Sequence, residues 1–178
     1  MKALYIGRFQ PFHFGHLKVI SYILSKTSEL IIVVGSAQYS HTIDNPFTAG
    51  ERISMIKMAL NTACIDPAKY CIIPIPDINI HSVWVAHLKS YIPHFDVVFS
   101  NEPLTCRLFM ERGFRVEQVP FYKRDIYSAT KIRRQILDGK NWETLVPKNT
   151  AKFIKEIDGV KRLRDLAMTD SILIENAE

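Results

Sequence analysis

Short apolar runs alternate along the chain with longer segments whose apolar residues recur every three or four positions. The runs that predict strands are Leu4–Ile6, Leu30–Gly35, Tyr70–Ile75, Asp96–Phe99 and Phe114–Val119. β-Branched residues dominate the second run, which is typical of a strand buried on both faces of a sheet. The pattern therefore predicts five strands separated by other elements.

The segments between and after these runs predict helices. Thr48 and Glu51 have the spacing of a capping box, so one helix is expected to begin there. The helical patterns cover Leu17–Leu24, Ile53–Leu60, Val83–Tyr91, Leu104–Arg112, Ser128–Leu137 and Pro147–Ile157. Strands that alternate with helices predict βαβ units, and hence an α/β fold with a doubly wound parallel sheet and a helical C-terminal segment.

The length of 178 residues suits one buried core. We expect a single domain over residues 1–167, with 128–167 as its helical part and 168–178 as a frayed tail. No apolar run approaches the roughly 18 residues of a membrane span, and the N-terminus does not resemble a signal peptide. A cytoplasmic protein without a membrane partner is therefore expected.

Three cysteines, Cys64, Cys71 and Cys106, are odd in number and lack the CxxC spacing of a zinc site. They lie in or beside apolar stretches. We therefore predict buried free thiols, with neither a disulfide framework nor a structural zinc ion.

Unusual residues cluster where the predicted strands end. Ligands of doubly wound sheets bind outside the carboxyl ends of the strands, near a switch in strand order. Four segments are expected to meet there: Arg8–His16, Ser36–Phe47, Asp77–Trp84 and Ser100–Pro103.

The turn after the first run has the composition of a phosphate site. Gly7 and Gly15 allow close approach to the backbone, and Arg8, His13 and His16 supply cationic or hydrogen-bonding groups beside a helix N-terminus. An isolated histidine pair would more often cap the helix and pack. The arginine and glycines in the same turn favour phosphate binding instead.

A second group of polar residues opens the helix after residue 127. Ser128, Thr130 and Arg133 place two hydroxyls and one guanidinium on the first turns of this helix. Capping alone accounts for such hydroxyls in most proteins. Together with the first turn, however, they predict a cradle for a triphosphate.

These two motifs carry a family resemblance. The HxGH sequence His13–His16 and the S-x-T-x-x-R sequence Ser128–Arg133 resemble the nucleotidyltransferase superfamily, which has a Rossmann-like fold. Three further blocks, Gly7–His13, Gly35–His41 and Asn45–Arg52, resemble the archaeal-type nicotinamide-nucleotide adenylyltransferases. The similarity extends from residue 3 to about residue 167.

The resemblance implies that the 5′-phosphate of nicotinamide mononucleotide attacks the α-phosphorus of ATP directly, giving NAD and pyrophosphate with the help of Mg²⁺. It also implies a homo-oligomer, with a hexamer as the expected assembly. The residues expected to bind ATP are Gly7, Arg8, Phe9, His13, His16, Ser128, Thr130 and Arg133. Arg8, His13, His16 and Arg133 are the catalytic candidates among them.

The other mononucleotide is expected to contact Asp77, His81 and Trp84. An indole face suits the cationic nicotinamide ring, although a tryptophan on a helix is more often a core residue. Asp77 is expected to orient the nucleotide or a metal-bound water. No resident protein site for a metal is predicted.

Three positions depart from the family pattern. His81 stands where asparagine is usual, Asn101-Glu102-Pro103 replaces Gly-Asn-Pro, and Ala129 replaces glycine. The first two concern recognition of the nucleoside parts. None of the three replaces a residue expected to bind the phosphates, so the expected reaction class is unaffected.

Two other functions compete with this interpretation. The same HxGH chemistry could serve another phosphate substrate, as in flavin mononucleotide adenylylation or a cytidylyltransferase, but the Asp77–Trp84 and Asn45–Arg52 blocks argue against it. The net charge of +5 would also suit a nucleic-acid-binding domain. No helix-turn-helix, RNP-like or zinc-finger pattern accompanies it, so no nucleic-acid partner is expected.

Overall fold

A computed structural model of the chain describes residues 1–120, 122 and 126–175. Five parallel strands form one sheet in the order β3-β2-β1-β4-β5. The strands are β1 (Lys2–Gly7), β2 (Glu29–Val34), β3 (Tyr70–Pro74), β4 (Val97–Phe99) and β5 (Arg115–Glu117). Each strand overlaps the apolar run that predicted it.

Helices connect the strands and continue beyond the last of them. They are α1 (Phe14–Lys26), α2 (Ala49–Thr62), α3 (His81–Lys89), α4 (Pro103–Glu111), α5 (Ala129–Leu137), α6 (Lys148–Glu156) and α7 (Gly159–Glu175). Thr48 and Glu51 form the predicted capping box before α2. The backbone of α7 is helical past residue 167, whereas the boundaries of domain and tail stay predictions.

The sheet separates two apolar cores. Alternate residues of a strand face opposite sides. Ala3 of β1 belongs to the core that contains residues of α1, α2, α5, α6 and α7, and Leu4 belongs to the core that contains residues of α3 and α4. Phe99 joins the first core and Val98 the second. Helices on both faces of a parallel sheet confirm the predicted doubly wound α/β fold.

The strand order places the switch point at β1. The chain crosses from β1 to β2 on one side and later returns to β4 on the other, so the loops after these strands diverge from a common edge. This geometry opens a crevice at the carboxyl ends of β1 and β4. The predicted functional segments all lie at this edge.

The burial predicted for the cysteines is wrong in part. All three thiols are free, but Cys64 and Cys71 are exposed and Cys106 is only half-buried. Cys71 lies on β3, an edge strand, and Cys64 lies just beyond the end of α2 with a φ of 54°. Apolar neighbours in sequence indicated burial, but these positions face outward.

Among the described residues, every helix falls short of the length and apolar character that a bilayer span requires.

Candidate functional site

Two neighbouring cavities open at the carboxyl edge of the sheet. The first, of about 300 Å³, lies between the beginnings of α1 and α5 and is lined by His13, His16 and Ser128. The second, of about 340 Å³, lies between α3 and α4. Arg8 and Glu102 line both cavities, so these two side chains mark the junction.

His13 and His16 cap each other at the start of α1. The backbone N–H of His16 donates to Nδ1 of His13 at 3.4 Å, and the backbone N–H of His13 donates to Nδ1 of His16 at 3.3 Å. The rings are stacked with centroids 3.6 Å apart. Because each Nδ1 accepts a hydrogen bond, each neutral ring carries its proton on Nε2. The capping role and a place in the cavity are therefore combined in the same two side chains.

Both imidazoles are held in the neutral form. Burial lowers the pKa of His13 to about 4. Burial also lowers the pKa of His16 well below its usual value, and the neighbouring His13 lowers it further. At neutral pH the pair is therefore a set of uncharged N–H donors, whereas Arg8 supplies positive charge among the described residues of the cavity wall.

The histidine pair predicts acid-sensitive stability. Since the folded-state pKa of His13 is depressed, the unfolded chain binds more protons below about pH 6.5, and the stabilising contribution is lost as the pH falls towards 4. We expect the free energy of unfolding to decrease by about 3 kcal/mol over this interval because of His13. Urea denaturation at a series of pH values in phosphate-free buffer measures this decrease in the free energy of unfolding.

The matched variant is His13→Asn, which retains a good helix cap but does not titrate. Its unfolding free energy should vary less steeply between pH 6.5 and 4 than that of the wild type. Parallel curves for the two proteins would show that His13 is not buried in its neutral form.

Glycines allow this tight arrangement. A Cβ on Gly15 would lie 3.0 Å from the ring of His13 and 3.0 Å from Cβ of Tyr127, so a larger residue would push α1 and the start of α5 apart. A Cβ on Gly7 would lie 2.8 Å from the ring of Phe9. That ring is buried in the core and, within the described part of the chain, stays outside the walls of both cavities. A role for Phe9 in ATP binding stays a prediction.

The residues of the second motif do not all reach the first cavity. Ser128 lines it and caps α5, its hydroxyl accepting from the backbone N–H of Lys131 at 3.2 Å. Of the described residues, Thr130 and Arg133 lie outside the walls of both cavities. Thr130 is exposed on the surface of α5.

Arg133 is instead buried one turn behind the start of α5. Its Nη1 donates to the carbonyl of Gln10 at 3.0 Å, and its Nη2 donates to Oδ1 of Asp44 at 2.7 Å. Its Nε is buried and has no partner among the described residues. Burial lowers the pKa of Arg133; the Asp44 carboxylate acts in the opposite direction, and repulsion from Arg8 lowers the pKa further.

The second cavity contains the other three predicted residues. Trp84 is half-buried and meets Phe109 edge to face, with centroids 5.7 Å apart, so it belongs both to the core beneath α3 and to the cavity wall. His81 is the exposed first residue of α3. Asp77 accepts a hydrogen bond from Oγ of Ser36 at 2.6 Å, which fixes its carboxylate.

Arg52 organises these loops and was missed as a functional candidate. It is fully buried, and its guanidinium donates to the carbonyls of Arg8, Gly35, Ser36 and Thr48 at 2.8–3.2 Å. Burial lowers its pKa to about 10, so it stays charged at neutral pH. Helical spacing in the sequence could have indicated that Arg52 is buried. It lies three residues before Met55 and four before Ile56, and both of these are on the buried face of α2.

Asn101 was also missed as a structural link. Its amide donates to the carbonyl of Val119 at 2.6 Å and accepts from the Val119 N–H at 3.0 Å. The pairing ties the loop after β4 to the loop after β5. Within the described ranges, no three histidine, cysteine or carboxylate side chains cluster as metal ligands.

The fold and the site define a nucleotidyltransferase. A family model described as cytidylyltransferase-like matches residues 4–135, which include the sheet, the HxGH turn and the start of α5. The chain is 51% identical to the nicotinamide-nucleotide adenylyltransferase of Archaeoglobus fulgidus over 174 residues, covering 96% of this chain and 99% of that protein. It is 50% identical to the Pyrococcus horikoshii enzyme over 167 residues, covering 94% and 89%. The chain belongs to the nicotinamide-nucleotide adenylyltransferase family.

A solved structure shows the same architecture. The bifunctional NMN adenylyltransferase/ADP ribose pyrophosphatase of Francisella tularensis, in complex with AMP and a manganese ion, superposes with a TM-score of 0.81 at 27% identity. The match covers 98% of this chain but 54% of that protein. The present chain thus spans about half of the bifunctional protein.

Proposed function

We propose that the protein joins ATP and nicotinamide mononucleotide to give NAD and pyrophosphate, a step of NAD biosynthesis. The observation that carries the proposal is the pair of cavities that meet at Arg8. Two nucleotides bound in adjacent cavities would bring their phosphates together at this guanidinium. Family membership supports the same reaction.

The first cavity suits the phosphates of ATP. Nε2–H groups of His13 and His16, together with the N-terminus of α5, offer donors that need no charge to bind phosphate oxygens. Transfer of a phosphoryl centre depends mainly on positioning and on stabilising the charge that develops on its oxygens. Neutral donors fixed by reciprocal capping provide both without reorganising during the reaction.

The second cavity suits the nicotinamide mononucleotide. The indole of Trp84 would stack on the cationic ring, and the Asp77 carboxylate, held by Ser36, adds negative potential near it. His81 lies beside Trp84 at the first turn of α3 and can donate to or accept from the nucleotide. Arg8 would then contact the attacking 5′-phosphate.

ATP would enter as its Mg²⁺ complex. Mg²⁺ is held mainly by phosphate oxygens and water in such sites, which requires few protein ligands. When bound, the ion supplies charge neutralisation at the phosphates. In this chain, orientation of the substrates falls to Arg8, the histidine pair and α5.

The test is a substrate panel with the purified protein. ATP or CTP is offered with nicotinamide mononucleotide, nicotinic acid mononucleotide or flavin mononucleotide, and the dinucleotide and pyrophosphate are quantified. ATP with nicotinamide mononucleotide should give equimolar NAD and pyrophosphate. Reaction with flavin mononucleotide alone, or with CTP alone, would replace this proposal by the corresponding alternative.

Trp84 gives a prediction for the second cavity. Trp84→Ala should raise the KM for nicotinamide mononucleotide by about tenfold or more, because a stacked aromatic contact contributes roughly 1–3 kcal/mol. Trp84→Phe, which keeps an aromatic face and the contact with Phe109, should have a smaller effect. Steady-state kinetics measure both, with the KM for ATP as an internal control. Equal increases in both KM values would contradict a specific role for Trp84.

We also propose that the protein is cytoplasmic and homo-oligomeric, with a hexamer as the expected assembly, and that it has no nucleic-acid partner. Analytical ultracentrifugation tests the assembly.

A further inference from the structure

An ion pair covers Arg133. Asp44 lies in the loop between β2 and α2, and its carboxylate accepts from Nη2 of Arg133 at 2.7 Å. The Asp44 side chain is 74% exposed, whereas that of Arg133 is 5% exposed. The guanidinium is thus fixed inside the protein, and the carboxylate that neutralises it lies on the surface.

Among the described residues, the hydrogen-bonding capacity of Arg133 is not fully used. Its Nη1 is occupied by the carbonyl of Gln10, but Nε has no partner within the described part of the chain. A buried donor without an acceptor is unfavourable, because it has lost its hydrogen bonds to water. A ligand with several oxygens could bind Nε and Nη2 together, which one oxygen of Asp44 does not do in this structure.

The surroundings attract anions. Arg8 is close enough for repulsion between the two guanidinium groups to act on Arg133. Arg8 also lines the cavity assigned to ATP, and α5, which carries Arg133, begins at that cavity. The Asp44 carboxylate therefore lies where a polyphosphate that extends from the cavity would find a buried cation.

The loop around Asp44 is held locally. Thr42 and Asn45 exchange backbone hydrogen bonds at 3.3 and 3.2 Å, and the Asn45 N–H also donates to Oγ1 of Thr42 at 3.1 Å. Since the turn is closed by its own residues, the exposed carboxylate can leave Arg133 without dismantling the turn.

We propose that Asp44 is a positioning residue that occupies Arg133 until the β- and γ-phosphates of ATP, or the pyrophosphate product, replace it. This inference rests on the proposed function. Before phosphate binds, the Asp44 carboxylate neutralises Arg133 and holds its guanidinium in place. It also lowers the affinity for polyphosphates, because binding must first break the ion pair, and so it favours release of pyrophosphate.

The experiment uses inorganic tripolyphosphate and AMP as separate probes in isothermal titration calorimetry. Asp44→Asn should bind tripolyphosphate about tenfold more tightly than the wild type, since it removes a competing charged hydrogen bond. Affinity for AMP, which lacks the outer phosphates, should stay unchanged. The control Asp66→Asn removes an equal charge from a cap of the turn Pro67–Lys69, and it should leave both affinities unchanged.

Unchanged or weaker binding of tripolyphosphate by Asp44→Asn would overturn the inference, because a carboxylate that competes with phosphate for Arg133 must lower the affinity. Asp44→Ala, which also removes the hydrogen bond, should tighten binding as well. NAD formation by the wild type is measured separately. If the wild type forms NAD but Asp44→Asn does not bind tripolyphosphate more tightly, only the role of Asp44 is overturned. If Asp44→Asn binds tripolyphosphate more tightly but the wild type forms no NAD, only the proposed reaction is overturned.

Discussion

Replacing His16 with alanine should lower turnover by about 10²-fold or more while leaving the fold intact. The Nε2–H of this ring is a donor fixed by the capping interaction with His13, and it faces the cavity assigned to the phosphates. A preorganised donor acts most strongly where charge develops in the transition state. The effect should therefore fall on kcat more than on the KM for ATP. Steady-state kinetics measure the loss of turnover, and thermal unfolding tests whether the fold is intact.

His16→Asn separates catalysis from capping. Its amide oxygen can replace Nδ1 as acceptor for the His13 N–H, but it has no group at the place of Nε2. We expect wild-type stability with the same loss of turnover. His94→Ala serves as a control, because the His94 side chain is 87% exposed on the surface. This variant should change neither stability nor turnover. Turnover by His16→Asn close to that of the wild type would remove His16 from the proposed role.

Replacing Arg52 with leucine should lower the free energy of unfolding by about 3 kcal/mol or more. Leucine fills part of the space but leaves the carbonyls of Arg8 and Gly35 without the guanidinium donor. The carbonyls of Ser36 and Thr48 lose the same donor but keep the backbone N–H groups of Tyr39 and Arg52. Unsatisfied buried acceptors cost about 1–3 kcal/mol each, and relief from burying a charge offsets part of this sum. Urea denaturation measures the loss.

The same substitution should also lower kcat/KM in the protein that remains folded. Arg52 holds the loops that carry Arg8 and Ser36, and Ser36 in turn fixes Asp77. Arg107→Leu is the matched control, since this arginine is 73% exposed and pairs at the surface with Glu111. A surface pair of this kind contributes about 1 kcal/mol or less. Equal destabilisation by both variants would contradict an organising role for Arg52.

Local patterns were sufficient for the elements and for the first motif. Every strand overlaps its apolar run, and the capping box at Thr48 and Glu51 is present as predicted. Both regularities depend on neighbours in sequence: the alternation of apolar residues decides which face of a strand is buried, and a cap needs a partner three residues away. The HxGH turn belongs to the same class, because His13 and His16 act on each other across one helical turn.

The second motif shows what such reasoning leaves open. Ser128 reaches the cavity, whereas Arg133, on the next turn of the same helix, faces Gln10 and Asp44. Spacing within α5 predicts which residues share a face, but it does not predict what that face meets. Asp44 precedes Arg133 by 89 positions, so only folding brings the two charges together.

The sequence by itself determined the α/β architecture, the edge of the sheet where the two cavities lie and the HxGH turn that lines one of them. These features follow from periodicity and from the rule that parallel strands end at a common edge. Only the tertiary structure decided the charge state of the histidines, the partner of Arg133 and the role of Arg52. The physical reason is that burial and long-range pairing decide pKa values and ion pairs, and both are properties of the packed chain.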